Sequence, residues 1–178
     1  MNRRHTRADY LDVIARVRAA QPAIAFSSDF IVGFPGETEE DFRATLSLVD
    51  GVGYAGAFSF KYSARPGTPA AEMTDQIPDE IKTERLARLQ HAIDRQQAAF
   101  NARCRGRSYD ILFEKTGRHP GQIVGRSPYL QAVQVMADAT LIGEIETVTI
   151  TEVSANSLFG TLARPAPARV PLLMQAGG

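Results

Sequence analysis

The chain has 178 residues, of which 44% are hydrophobic and 22% charged, a composition that excludes intrinsic disorder, collagen and coiled coil. Lysine plus arginine equals aspartate plus glutamate at 20 each, so no overall field draws nucleic acid or membrane to the chain, and an RNA site needs a local basic patch. The single cysteine, Cys104, excludes a disulfide framework and a self-contained thiolate metal or iron–sulfur site. Because no apolar run is long enough to span a membrane and the start lacks an apolar signal core, we expect a cytoplasmic protein without a membrane partner.

Helix and strand signals alternate from the start of the sequence. Thr6 predicts the cap of a helix of roughly fifteen residues, with Asp9 at the capping-box spacing, and Pro22 ends that helix. The mostly apolar segment 23–32 predicts a strand buried on both faces, as in parallel sheets. This order is typical of an α/β fold.

A loop with two glycines, Gly33-Phe34-Pro35-Gly36-Glu37, separates this strand from a second predicted helix. Thr38 can cap that helix, with Asp41 again three residues on, and Gly53 ends it. A second strand is predicted over residues 55–62. A loop rich in proline and alanine then leads to a long helix that begins near Pro78 and reaches about Cys104.

Short strands separated by turns follow the long helix. They are predicted over residues 108–114, 122–125, 130–137, 142–151 and 157–162. Turn signals at intervals of about eight to twelve residues indicate a small antiparallel barrel. The proline-rich residues 166–178 predict a loose tail.

The sequence therefore predicts an α/β part over residues 1–103, an all-β barrel over residues 104–165 and the tail over 166–178. The α/β part has only two candidate strands. Such a sheet would leave two open edges and little core, which single domains avoid. We therefore expect the α/β part to be a portion of a larger domain.

Several motifs resemble the C-terminal part of the radical-SAM methylthiotransferases. Those in the α/β part are Met1-Asn2-Arg3-Arg4-His5-Thr6, Ser27-Ser28-Asp29-Phe30-Ile31-Val32-Gly33-Phe34-Pro35-Gly36-Glu37-Thr38 and Phe60-Lys61-Tyr62-Ser63-Ala64-Arg65-Pro66-Gly67-Thr68. Those that resemble the TRAM domain at the end of these enzymes are Gly125-Arg126-Ser127-Pro128-Tyr129-Leu130-Gln131 and Asn156-Ser157-Leu158-Phe159-Gly160. The resemblance covers about residues 1–163 and is strongest to the MiaB-type branch.

This resemblance implies a partial radical-SAM β/α barrel followed by a TRAM barrel. The family's members use S-adenosylmethionine and two 4Fe-4S clusters, and MiaB-type enzymes add a methylthio group to isopentenyl-adenosine beside the anticodon of tRNA. Each cluster needs three cysteines, which this chain lacks, and Cys104 cannot replace them. We therefore expect a C-terminal fragment, monomeric and inactive alone, whose partner is the anticodon stem-loop of tRNA.

Two other functions stay open. A sister branch of the family modifies threonylcarbamoyl-adenosine in tRNA or an aspartate of a ribosomal protein. A chain without cluster ligands could instead be a non-catalytic RNA-binding module in which the α/β part serves as a scaffold.

The candidate cofactor-binding residues follow the first strand or lie within it. Active sites of β/α barrels gather at the C-terminal ends of strands, which selects the loop Gly33-Phe34-Pro35-Gly36-Glu37. The alternative is a tight turn that feeds a capped helix. Ser28 and Asp29 are polar residues in an apolar strand, so one of them could contact the cofactor, with Asp29 holding a hydroxyl or ammonium group. Internal hydrogen bonds are the alternative for this pair.

Lys61, Tyr62 and Arg65, at the end of the second strand, are the candidate substrate-pocket residues. The rigid turn Pro66-Gly67 would present the Arg65 guanidinium to a carboxylate or phosphate.

The candidate RNA-binding residues lie in the barrel and are Lys115, Arg118, Arg126 and Tyr129. The cations would position phosphates and Tyr129 would stack on a base. Arg103, Arg105 and Arg107 are expected to extend the same basic rim. Acidic residues offset these cations in number, so solvated loop charge remains the alternative. No residue is predicted to bind a metal, and no catalytic residue is assigned.

Overall fold

A computed structural model describes residues 5–163, and the chain divides into two compact units between Cys104 and Arg105. The first four residues of the Met1–Thr6 motif and the tail predicted over residues 166–178 lie outside the described residues. Within the described part of the chain, no helix has both the length and the apolar character needed to cross a membrane.

The first unit alternates helices and strands, as the sequence predicts. Its elements are α1 (Arg7–Ala20), β1 (Ser27–Val32), α2 (Glu39–Val52), β2 (Gly56–Lys61), α3 (Pro69–Glu72) and α4 (Asp79–Ala102). The one-turn helix α3 occupies part of the segment expected to be a loop. It begins with Pro69 at a first-turn position, where the missing N–H costs nothing.

Both predicted capping boxes are present at the starts of α1 and α2. The Thr6 hydroxyl accepts a hydrogen bond from the Asp9 N–H at 3.2 Å, and the Asp9 carboxylate accepts one from the Thr6 N–H at 2.8 Å. Thr38 and Asp41 repeat the pattern at 3.1 and 2.9 Å. Gly53 ends α2 in the left-handed conformation at φ 67°, which glycine adopts without a steric penalty.

Strands β1 and β2 pair in parallel, with Asp29 opposite Phe58 and Ile31 opposite Phe60. One face of this two-stranded sheet packs against the helices and buries Phe30 and Val32. The other face is exposed, so the expectation that the first strand is buried on both faces is wrong. An apolar run shows that a strand can be buried, but not whether the described chain supplies a cover for each face.

The core of the first unit lies between the sheet and the helices. Besides Val32 of β1, its largest fully buried side chains come from α2, from the segment before β2 and from α4. They are Phe42, Val49, Val52, Tyr54 and Leu89. The two predicted strands are also shorter than expected, because the ladder between them begins only where Ser27 faces Gly56.

The second unit is a closed five-stranded barrel. Its strands are β3 (Ser108–Thr116), β4 (Gln122–Arg126), β5 (Ala132–Met136), β6 (Ile145–Val153) and β7 (Leu158–Leu162), with a 3₁₀ helix at Ala139–Leu141. The order around the barrel is β3-β4-β5-β7-β6, and β6 returns beside β3 in a Greek-key arrangement. Pairing is antiparallel except between β5 and β7, which run parallel, so the expectation of a purely antiparallel barrel is wrong in this one ladder.

Alternating residues of the five strands fill the barrel. Ile111, Phe113, Ile123, Val148 and Ile150 are among the fully buried side chains. Gly125 faces this interior at a point where an added Cβ would overlap the Leu112 backbone and the Ile111 side chain. A residue without a side chain is therefore required there for β3 and β4 to approach each other.

Candidate functional site

The loop Gly33-Phe34-Pro35-Gly36-Glu37 forms a tight turn after β1. The Glu37 N–H donates to the Phe34 carbonyl at 2.9 Å, and Gly36 has φ 79° behind Pro35. These features match a type II turn, which favours proline at its second position and needs a positive φ at its third. The backbone of this candidate cofactor loop is thus fixed by its own sequence.

The side chain of Glu37 stabilises this loop through two contacts within the fold. One of its carboxylate oxygens accepts a hydrogen bond from the Gly33 N–H at 3.1 Å, and the other lies 2.7 Å from the Arg85 guanidinium. The Arg85 and Glu37 side chains are only 7% and 12% exposed. Glu37 is therefore engaged within the fold rather than turned toward a ligand.

Side chains of this chain also cover the two glycines of the loop. A Cβ at Gly33 would overlap the side chain of Lys82, and a Cβ at Gly36 would overlap the carboxylate of Asp75. The glycine pattern predicts that such close approaches come from a bound cofactor. The observed contacts favour the alternative of a tight turn, and cofactor contact by this loop stays a prediction.

Ser28 and Asp29 point to opposite faces of the sheet. Ser28 lies on the helix side, where it lines a pocket with Tyr54 and Tyr10, whose hydroxyl oxygens are 2.8 Å apart. Burial raises the pKa of Tyr54, and the hydrogen bond with Tyr10 raises it further. The position of Ser28 beside these two hydroxyl groups favours the internal-bond interpretation for this residue.

Asp29 lies on the open face of the sheet, among exposed apolar side chains that belong to none of the predicted sites. Its register partner Phe58 is 70% exposed, and Ile31 and Phe60 beside them are 41% and 53% exposed. A carboxylate next to exposed aromatic rings can accept hydrogen bonds from hydroxyl or ammonium groups while the rings contact a flat heterocycle. S-adenosylmethionine carries all three groups, so this face fits that cofactor. Strand alternation places Phe58 and Phe60 on the same face of β2, and this pattern in the sequence could have predicted an apolar surface there.

The three candidate substrate-pocket residues have different surroundings. Lys61 donates to the Asp79 carboxylate at 2.9 Å, and this hydrogen bond holds the pKa of Asp79 below its usual value. Arg65 is exposed and makes no ion pair within residues 5–163, and the Thr68 N–H donates to its carbonyl at 3.2 Å across the Pro66-Gly67 turn. Of the two cations, Arg65 is thus the one available to an anionic ligand.

Tyr62 packs its ring edge-on against Phe34, with ring centroids 5.3 Å apart. Its hydroxyl is buried and has no hydrogen-bond partner in the described part of the chain. Leaving such a group unsatisfied costs about 1–3 kcal/mol. Tyr62 follows directly after the last residue of β2.

The residues present do not fit an iron–sulfur cluster. Among the described residues, no group of three or more histidine, cysteine, aspartate or glutamate side chains could hold a metal ion. Cys104 is buried, with its Sγ 3.6 Å from the Phe100 carbonyl. No step that depends on a cluster can therefore be assigned to residues of this chain.

In the barrel, Lys115 and Arg126 lie on the β3–β4 ladder. Lys115 pairs with Val124, two residues before Arg126 on β4. Arg126 contacts the Glu114 carboxylate at 3.3 Å and donates to the Leu130 carbonyl at 3.0 Å. Arg118 follows in the β3–β4 connection and, like Lys115, makes no ion pair within the described residues. Three of the four RNA candidates thus belong to one ladder and its connection.

Tyr129 lies in the β4–β5 connection and is partly buried. Its ring meets that of Tyr109 edge-on, with centroids 5.7 Å apart. Arg105 and Arg107 precede β3, whose residue Tyr109 contacts Tyr129, and Lys115 lies near the far end of that strand, so a rim shared by all of these residues stays a prediction. Arg105 donates to the Thr151 carbonyl at 3.1 Å. Arg103 belongs to the first unit, where its guanidinium lies over the Phe100 ring.

Two protein-family models match the chain. Residues 102–163 match the TRAM domain, and residues 1–49 match the radical SAM superfamily. The TRAM match coincides with the closed barrel, and the radical SAM match contains α1, β1, the Gly33–Glu37 loop and most of α2. The chain therefore joins a radical-SAM segment to a TRAM domain, an architecture consistent with that of the methylthiotransferases.

Proposed function

We propose that this chain is the C-terminal part of a radical-SAM methylthiotransferase of the MiaB type. The proposed reaction adds a methylthio group to isopentenyl-adenosine beside the anticodon of tRNA. One observation carries the proposal: a closed barrel that matches the TRAM model follows a segment that matches the radical SAM model.

The barrel would bind the RNA. The OB-fold, a five-stranded Greek-key barrel, binds oligonucleotides through its second and third strands and neighbouring loops, which here would correspond to β4, β5 and the connections beside them. Arg126 on β4, Lys115 on β3 and Arg118 in the connection between them would contact phosphates and orient the stem-loop. These contacts position the RNA but do not identify the nucleoside that is modified.

The open face of the first unit would form one wall of the cofactor site. Asp29 would hold a hydroxyl or ammonium group of S-adenosylmethionine, and Phe58 and Phe60 would contact its adenine. When bound, the cofactor would supply the radical chemistry of the family. That chemistry requires cluster ligands that this sequence does not contain, so we expect the 178-residue chain alone to bind RNA without modifying it.

Binding of the purified chain to synthetic anticodon stem-loops tests this proposal. We expect the isopentenylated stem-loop to bind, and Arg126→Ala to weaken binding by about threefold to tenfold because one phosphate contact is lost. Arg43→Ala is the matched control, since it also removes one exposed guanidinium but lies on α2. Equal binding by the two variants would contradict the RNA role of Arg126.

Sequencing the DNA upstream of the Met1 codon tests the enzymatic part. We expect an in-frame C-x-x-x-C-x-x-C motif, and a stop codon or unrelated sequence there would refute it. Stem-loops that carry threonylcarbamoyl-adenosine instead would reveal a sister branch if they bound more tightly.

A non-catalytic RNA-binding module is the second candidate. It is favoured by the glycine loop, whose carboxylate is tied to Arg85 and whose glycines are covered by Lys82 and Asp75. Equilibrium dialysis with S-adenosylmethionine separates the two functions. The enzyme proposal expects measurable binding that Asp29→Asn weakens, whereas a scaffold would bind none.

A further inference from the structure

Leu130 has an unusual backbone conformation. Its φ is 63°, and it is the one non-glycine residue with positive φ in the described part of the chain. This conformation costs a residue with a branched side chain roughly 1–2 kcal/mol, whereas glycine or asparagine adopts it readily. The Leu130 side chain is 76% exposed, so burial within the fold does not offset that cost.

Hydrogen bonds on all sides hold Leu130 in this conformation. The buried hydroxyl of Ser127 accepts from the N–H groups of Tyr129 at 3.2 Å and Gln131 at 3.3 Å. The Leu130 N–H donates to the Ser127 carbonyl at 2.9 Å. The Arg126 guanidinium donates to the Leu130 carbonyl at 3.0 Å. The loop therefore presents an apolar side chain to solvent in a fixed position.

Two further exposed apolar residues lie on neighbouring strands of the barrel, one of them directly beside Arg126. Leu112 on β3 pairs with Arg126 on one side and with Ile145 of β6 on the other, and it is 42% exposed. Ile145 is 64% exposed. Together with Leu130, these residues form what we call the Leu130 surface, which consists of Leu112, Arg126, Leu130 and Ile145.

We propose that the Leu130 surface binds an unpaired nucleotide of the RNA, with the base on Leu130 and its phosphate on Arg126. The inference rests on the proposed RNA-binding function and adds that the Leu130 surface distinguishes an unpaired nucleotide from a paired one. A nucleobase has an apolar face that can lie on an aliphatic side chain, but only where it is unstacked, as in a loop. Arg126 lies within this surface, and Lys115 lies on the same β3–β4 ladder three residues beyond Leu112, so the charge favours a polyanion over a protein partner.

The substitution Leu130→Asn in the full chain separates a binding role from a structural one. Asparagine tolerates the left-handed conformation, so the thermal midpoint of the barrel should stay unchanged or rise. Affinity for an RNA stem-loop should fall roughly tenfold through loss of a base contact. Affinity for the same stem as a fully paired duplex should change less than about twofold, because phosphate contacts are retained.

Leu162→Gln is the matched control, since Leu162 is an exposed leucine of the barrel, 38% exposed, on β7 and outside both the Leu130 surface and the strands and connections assigned to RNA. It should leave stem-loop affinity unchanged. If Leu130→Asn binds the stem-loop as tightly as the unaltered chain, the inference is overturned and the proposed function stands. A clear fall in the barrel's thermal midpoint would overturn it too, since Leu130 would then serve the fold. Failure of the unaltered chain to bind either RNA refutes the proposed function itself.

Discussion

Replacing Arg85 with methionine tests the ion pair that holds the glycine loop of the first unit. The Arg85 guanidinium donates to the Glu37 carboxylate at 2.7 Å and to the Glu37 carbonyl at 3.0 Å. Methionine retains an unbranched apolar side chain but removes the charge and both hydrogen bonds. Glu37, whose side chain is 12% exposed, would then be a buried carboxylate without its cation.

The expected cost follows from this geometry. Removing one partner of a buried ion pair costs about 3–5 kcal/mol, because the other charge stays desolvated. The Gly33 N–H still donates to Glu37 at 3.1 Å, so we expect a value near the lower end, about 3 kcal/mol. Adding Glu37→Gln to Arg85→Met removes the stranded charge and should recover about 1–2 kcal/mol.

Urea unfolding followed by far-ultraviolet circular dichroism measures this effect, because all the α-helices in the described residues belong to the first unit. Arg43→Ala is the control. It breaks an ion pair whose arginine is 73% exposed and should cost under about 0.5 kcal/mol. If Arg85→Met costs no more than the control, the reasoning about the buried pair is wrong.

Three further predictions concern stability. Hydrogen bonds from Thr6 and Thr38 hold the pKa values of Asp9 and Asp41 below their usual value. The capping boxes should therefore stabilise α1 and α2 above about pH 4 and lose this effect as the pH falls further. In a pH series of unfolding curves, Asp41→Asn should lose less unfolding free energy on acidification than the unaltered chain. Gly125→Ala should unfold the barrel, since its Cβ would overlap the Leu112 backbone. Gly51→Ala within α2 meets no atom and should stabilise the first unit by about 0.5–1 kcal/mol. Nuclear magnetic resonance spectra resolve the two units, and an intact barrel in Gly125→Ala would contradict the packing. Tyr62→Phe should raise the unfolding free energy by about 1 kcal/mol or leave it unchanged, because the hydroxyl has no partner in the described residues, and a clear loss would show a partner there.

Local signals predicted most of the helices and strands. In each capping box, Thr6–Asp9 and Thr38–Asp41, the two partners are three residues apart, so local sequence spacing specifies both helix starts. The barrel strands were recognised for the same reason, although their ends shifted by up to three residues. The parallel pairing of β5 and β7 was missed because turn signals locate strands but do not determine which strands become neighbours.

The candidate sites were less predictable because their contacts are distant in sequence. Glu37 was expected to face a cofactor, yet its partner Arg85 lies 48 positions away on α4. Ser28 and Asp29 were considered together, but strand alternation places them on opposite faces of the sheet. Leu130 carries no local signal for a left-handed conformation, which is imposed by the hydrogen bonds of Ser127 and Arg126.

The most direct test of the account is the salt dependence of binding between the 178-residue chain and an anticodon stem-loop. If Lys115, Arg118 and Arg126 each neutralise one phosphate, the logarithm of the affinity should fall against the logarithm of the salt concentration with a slope of about −2. The slope should become shallower by about 0.7 in Arg126→Ala. Undetectable binding, or an affinity that salt does not change, would contradict the assignment of this barrel as an RNA-binding domain.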